Sequence, residues 1–165
     1  MRTTLFFLLL AMIASGSCKK KADTCPTDVY EYTYKDNARV DTIRSAMTVP
    51  APLVAVVTTG TKRVFSYRWD HILCPQIADG GGGTLLIFEV DPALSHFQYY
   101  ADSLAAIKCY YQSLCGYCVP RDAFVPVGGS IEGTKINDKT WKVAIDIKAG
   151  AYASINTSAN FVRAN

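Results

Sequence analysis

Charge is scarce in this sequence and histidine is scarcer. Charged residues fill 19% of the 165 positions, the formal net charge is only +3, and the histidines are His71 and His96 alone. Beyond Lys19–Lys21 there is no block of like charge, which excludes the basic stripe of a nucleic-acid binder. There is no H-E-x-x-H and no serine in a nucleophile elbow. The acidic residues are scattered, with no pair at a spacing that suggests acid–base work. Gly80–Gly83 lack the lysine and Ser/Thr that a phosphate-cradling loop requires. They read as a mobile surface loop, because four successive glycines cost much entropy to order. The longest apolar run, Leu5 to Ile13, is far short of the ~20 residues of a spanning helix.

That run has a function of its own. It follows Arg2 and leads through Ala14, Ser15, Gly16 and Ser17 to Cys18. A charged start, a short apolar core and a small-residue exit make a secretory signal. Ser15-Gly16-Ser17-Cys18 resembles a bacterial lipobox, and Lys19-Lys20-Lys21 with Asp23 resembles the polar start of lipoproteins from Bacteroidetes-type bacteria. The resemblance implies cleavage before Cys18 and acylation of its thiol and new amino group. The expected organisation is a signal over 1–17, a lipidated cysteine and polar tether over 18–27, and one domain over 28–165. With Arg2 removed and the tether lysines set aside, that domain is close to neutral.

Six cysteines occur: Cys18, Cys25, Cys74, Cys109, Cys115 and Cys118. An exported chain can keep disulfides, and Cys74, Cys109, Cys115 and Cys118 are the candidates. Connectivity does not follow from spacing. One bridge is expected to tie the 109–118 region to itself or to Cys74, since these cysteines flank strands expected to be neighbours. A zinc site from Cys109, Cys115 and Cys118 with a histidine is disfavoured by the oxidising compartment. Val119, where a c-type haem motif needs histidine, argues against haem. No cofactor is expected.

Period-two alternation dominates the rest. Tyr30, Tyr32 and Tyr34 alternate with polar residues, the pattern of a half-buried strand. Asp36-Asn37 reads as a turn, with Val40 to Ile43 returning antiparallel. Leu53–Val57 and Thr84–Val90 are apolar strands. In KRVFSYRW, Phe65, Tyr67 and Trp69 share a face. GSIEGTKI and TWKVAIDIK form a hairpin over Asn137-Asp138-Lys139, with Trp141, Val143, Ile145 and Ile147 together. A last strand pair is expected near 152–155 and 160–163. Within 92–115, Phe97, Tyr100, Leu104, Ile107, Tyr111 and Leu114 have helical spacing, Asp91-Pro92 offers a start and Gly116 a stop. The aromatic content there suits two strands joined over 101–104 instead. Both readings stay open. The expected fold is mainly β, an antiparallel sandwich or small barrel of roughly seven to nine strands, with or without that helix.

Cys115-Gly116-Tyr117-Cys118 resembles the active-site motif of the periplasmic disulfide isomerases. The resemblance implies Cys115 as nucleophile and Cys118 as resolving thiol, with Cys115 at a helix N-terminus. Val119 to Gly129 contain Pro120, Pro126 and two glycines, so a structural bridge near a turn is the competing reading. The row of tyrosines at 30, 32 and 34 either stacks on a sugar or partner or faces the core. The expected function is therefore a non-catalytic envelope lipoprotein that binds or scaffolds, with a thiol–disulfide oxidoreductase as the alternative. Expected partners are the membrane through acylated Cys18 and an unidentified protein or glycan, and no nucleic acid.

Overall fold

A computed structural model describes residues 28–46, 51–71, 81–115, 121–151 and 153–164. The chain is mainly β, and its curled sheet forms a half-barrel. The described residues form nine strands: β1 (Val29–Arg44), β2 (Leu53–Thr59), β3 (Lys62–His71), β4 (Gly82–Val90), β5 (His96–Tyr100), β6 (Tyr110–Cys115), β7 (Gly128–Asn137), β8 (Thr140–Lys148) and β9 (Ser154–Arg163). Their order is β5-β7-β8-β9-β1-β3-β4-β6, with β2 paired to β1 off this path.

The sheet is mixed rather than wholly antiparallel. β9 runs parallel to β1 through Thr33↔Val162 and Tyr34↔Arg163. The remaining pairings between named strands are antiparallel. The contact joins the sheet's two antiparallel halves, β1-β3-β4-β6 and β5-β7-β8-β9, and no local pattern announces it.

The concave face holds the main core. Phe65 is fully buried and lies 5.3–5.7 Å, ring to ring, from Tyr34, Phe88, Phe97, Trp141 and Phe161. Aromatic contacts in this range add to the gain from burial itself. In β8, Trp141, Val143, Ile145 and Ile147 are buried while the alternate residues are exposed, as the alternation requires. Phe97 crosses to Gly133 on β7, and its ring occupies the space that a side chain at 133 would need.

Between β5 and β6 there is no α-helix. The helical spacing over 92–115 resolves into β5, one short 3-10 turn (Ala101–Ser103) and β6. Leu104 and Ile107 are nonetheless buried, so the apolar residues of that spacing plug the gap between the two outermost strands. The short turn is held by Ser103, whose Oγ accepts the Tyr100 N–H and donates to the Tyr100 carbonyl.

Asp36-Asn37 is not a hairpin turn. β1 runs straight through it with a register shift between Lys35 and Ala38, and Asn37 takes φ 54°. This bulge bends the strand. Beyond it β1 pairs with β2, and Ala38, Val40 and Ala55 cover Val64, Ile87 and Ala123 as a second, smaller core. Gly82 and Gly83 belong to β4 rather than to a loop; at Gly83 a side chain would strike the Trp69 carbonyl. The expected last strand pair is the single strand β9.

Candidate functional site

Register places chemistry-bearing side chains in rows across one end of the half-barrel. Tyr30, Trp69, Thr84 and Ser113 are successive partners on β1, β3, β4 and β6. The next row inward is Tyr32, Tyr67, Leu86 and Tyr111. Exposure falls steadily along β1: Tyr30 is 50% exposed, Tyr32 is half-buried and Tyr34 is 1% exposed. The tyrosine row is therefore both core and surface, changing role along one strand. Tyr30 and Tyr32 stack nearly parallel, with centroids 6.4 Å apart.

Burial, with Tyr32 and Tyr30 close by, pushes the Tyr67 hydroxyl up to about 12. Tyr32 bonds across the barrel to Thr157 at 3.4 Å, and the Thr84 and Tyr111 hydroxyls meet at 3.4 Å. At the lip, His71 Nδ1 lies 2.6 Å from Asp28 and holds that carboxyl below its usual range. The Trp69 indole N–H also favours the charged Asp28, yet it makes no hydrogen bond of good geometry and is buried.

Beside these rows is a cleft of about 230 Å³ lined by Tyr111, Ser113, Arg121, Phe124, Ala149, Gly150, Ala151 and Ala153. Phe124 forms a bridge to Tyr111 and packs its ring 5.3 Å away. Arg121 is exposed and has no hydrogen-bond or ion-pair partner among the described residues. The cleft thus offers an aromatic wall, hydroxyls and a free cation, with no base placed beside a nucleophile. A larger and more open depression of about 610 Å³ lies at the opposite end, lined by Lys139, Thr140, Val162, Arg163 and Ala164. It has cations but no aromatic wall. Nearby, Arg63 lies 5.3 Å from the Tyr34 ring and 5.1 Å from that of Trp141, and it pairs with Asp36 at 2.6 Å. These contacts close that end by packing.

Among the cysteines, Cys109 departs from expectation. It is fully buried and free, so it forms no bridge. Its place behind β4, where the Ile107 carbonyl accepts the Glu89 N–H, makes it a core residue, and burial pushes its thiol up to about 12. Cys115 ends β6 opposite Gly82, itself opposite His71. His71, Gly82 and Cys115 therefore share one corner of the sheet. Cys74, Cys118 and Cys18, the residue expected to carry lipid, lie outside the described residues. Cys115 closes an edge strand and, by Arg121, the chain is again non-helical. His96 bonds Thr134 at 3.0 Å, away from the thiols. Among the described residues no group of three or more His, Cys, Asp or Glu is placed to hold a metal, and no helix is long and apolar enough to cross a membrane.

No protein-family model, curated protein or solved structure matches the chain.

Sequence reading missed Arg121, Phe124 and Ser113. Residues 121–127 show no periodicity, and only the Tyr111–Phe124 bridge brings them to β6. The signal that was available is the alternation of Tyr111 and Ser113 onto the same face as Tyr67 and Trp69.

Proposed function

We propose that the protein is a non-catalytic envelope domain, anchored to the outer or inner membrane by lipid on Cys18, that binds through the open end of its half-barrel. The observation that carries the binding half is the cleft beside Tyr111, with aromatic walls and, among the described residues, an unpaired Arg121 and no nucleophile–base pair. The anchoring half rests on the apolar run and Ser15–Cys18 followed by three lysines. The thiol–disulfide alternative asks for Cys115 at the start of a helix, where the dipole lowers a thiol's pKa; Cys115 instead ends an edge strand. A structural bridge among Cys74, Cys115 and Cys118 agrees better with the shared sheet corner.

Metabolic labelling with a fatty-acid probe tests the anchor. The natural protein takes up label and fractionates with membranes, and Cys18→Ala loses both. Retention of label and membrane association by Cys18→Ala sinks the reading. Isomerase activity on a scrambled substrate that disappears in Cys115→Ser would replace it with the enzymatic one.

A further inference from the structure

The end of the half-barrel that receives the tether has a surface unlike the other end. β1 begins there at Val29, directly after the 28 residues that include Cys18. The C-terminal ends of β3, β5, β6 and β8 and the N-terminal ends of β4, β7 and β9 point the same way. Among the described residues, every large aromatic side chain that is well exposed belongs to this end: Tyr30 at 50%, Tyr100 at 58% and Phe124 at 37%. Val127, just before β7, is 73% exposed, and Val29 39%. The opposite end exposes Leu94, Ile136 and Val162, all aliphatic.

Charge at this end is mixed. Arg121 and Lys148 at the tether end have no partner among the described residues. Asp28 is held by His71, Asp70 by Arg68, and Asp122 accepts the Leu53 N–H. Asp102 and Asp146 are acids at that end without a side-chain partner among the described residues. Amphipathic rings with free cations beside them are the composition that settles at the boundary between headgroups and acyl chains.

We propose that this end rests on the lipid surface, with Tyr30, Tyr100, Phe124 and Val127 at headgroup level and Arg121 beside the phosphates. The inference rests on the anchoring of Cys18 and names the partner of the cleft end as the bilayer itself. From Cys18 to Asp28 the chain can span at most about 35 Å when fully extended. The domain is thus held near the membrane by the end that carries the aromatic residues. On so short a leash even a weak contact is populated, because its effective concentration is in the millimolar range.

The test uses the full-length lipidated protein in vesicles of phosphatidylglycerol and phosphatidylcholine. Tyr100→Trp and Ile136→Trp place a fluorophore at the two ends, against the buried native Trp141 and the largely shielded Trp69. Brominated lipid is expected to remove most of the added emission of Tyr100→Trp and to leave that of Ile136→Trp unchanged. Adding Phe124→Ser and Val127→Ser to Tyr100→Trp should abolish the quenching while the protein still floats with the vesicles. Flotation without quenching at Tyr100→Trp, or equal quenching at both ends, overturns the docking and leaves the anchor standing. Failure of the protein to float overturns both.

Discussion

The two faces of this sheet are built by different means. On the concave side, alternating strands deliver large aromatic and aliphatic side chains to one interior, and Phe65 alone touches five rings. On the convex side, the arm formed by the end of β1 and by β2 covers Val64, Ile87 and Ala123 with its own small residues, Ala38, Val40 and Ala55. These bury little area, and polar side chains hold the arm instead. The Val40 N–H donates to Glu89 at 2.6 Å, while Lys108 donates to the Val40 carbonyl at 3.0 Å and to Glu89 at 3.1 Å. The Leu53 N–H donates to Asp122, and the Ala55 N–H to Gln112. Where β1 leaves β3 at the bulge, its backbone would lose a ladder partner, and buried peptide groups must be paired. An ion pair supplies the pairing here. One face is held by area, the other by hydrogen-bond geometry.

The comparison breaks most visibly at Phe65. Phe65→Ala removes the ring at the centre of the aromatic cluster and should cost about 3–5 kcal/mol, read as a lower denaturant midpoint. A loss under about 1 kcal/mol would mean that the concave core is not the principal source of stability.

The second effect is also concave. Cys109 titrates from about 9 to about 12 on burial. A folded pKa above the unfolded one means that the native state keeps its proton longer. Its contribution is therefore complete below pH ~9 and is lost as pH rises towards 12, by about 1.4 kcal/mol per pH unit. Tyr67, pushed to about 12, acts in the same direction. Cys109→Ala should flatten the alkaline limb of a stability–pH curve, and an unchanged limb would exclude Cys109 as its source.

Glu89→Ala tests the convex arm. It leaves the Val40 N–H without an acceptor and Lys108 without its carboxylate, at a cost of about 1–3 kcal/mol. Hydrogen exchange should quicken in β2 and at 38–44 before it changes in β8. Uniform acceleration across the sheet would show that the arm is not a separate unit.

The smallest effect is expected at Arg39, which bonds Asp41 at 2.8 Å and Thr58 at 3.2 Å but is well exposed. Arg39→Ala should shift stability by less than about 1 kcal/mol. A larger loss would place this surface pair among the groups that hold the arm.

Much of the architecture was legible because alternation is a local signal. β3, β4, β7 and β8 match their sequence patterns closely, since one face of each strand is buried and a one-residue slip would invert it. The 92–115 region was ambiguous because its apolar residues satisfy a helical spacing while their aromatic character favours strands. The fold uses both, strands at the ends and buried Leu104 and Ile107 in the turn between. Gly82 and Gly83 misled because glycine is usually a breaker, whereas here one is needed for close approach to the Trp69 backbone.

By itself the sequence determined the secondary-structure class, the hairpin of β7 and β8 and the inward face of each regular strand. These depend on neighbours a few residues apart. Only the tertiary structure decided the parallel contact of β1 with β9, the bulge that turns Asp36-Asn37 into a bend, the burial of Cys109 as a free thiol and the cleft that joins Arg121 and Phe124 to Tyr111. Each of these depends on which strand ends meet across the curl. That is set by the packing of the whole aromatic core around Phe65, which residues distant in sequence create together.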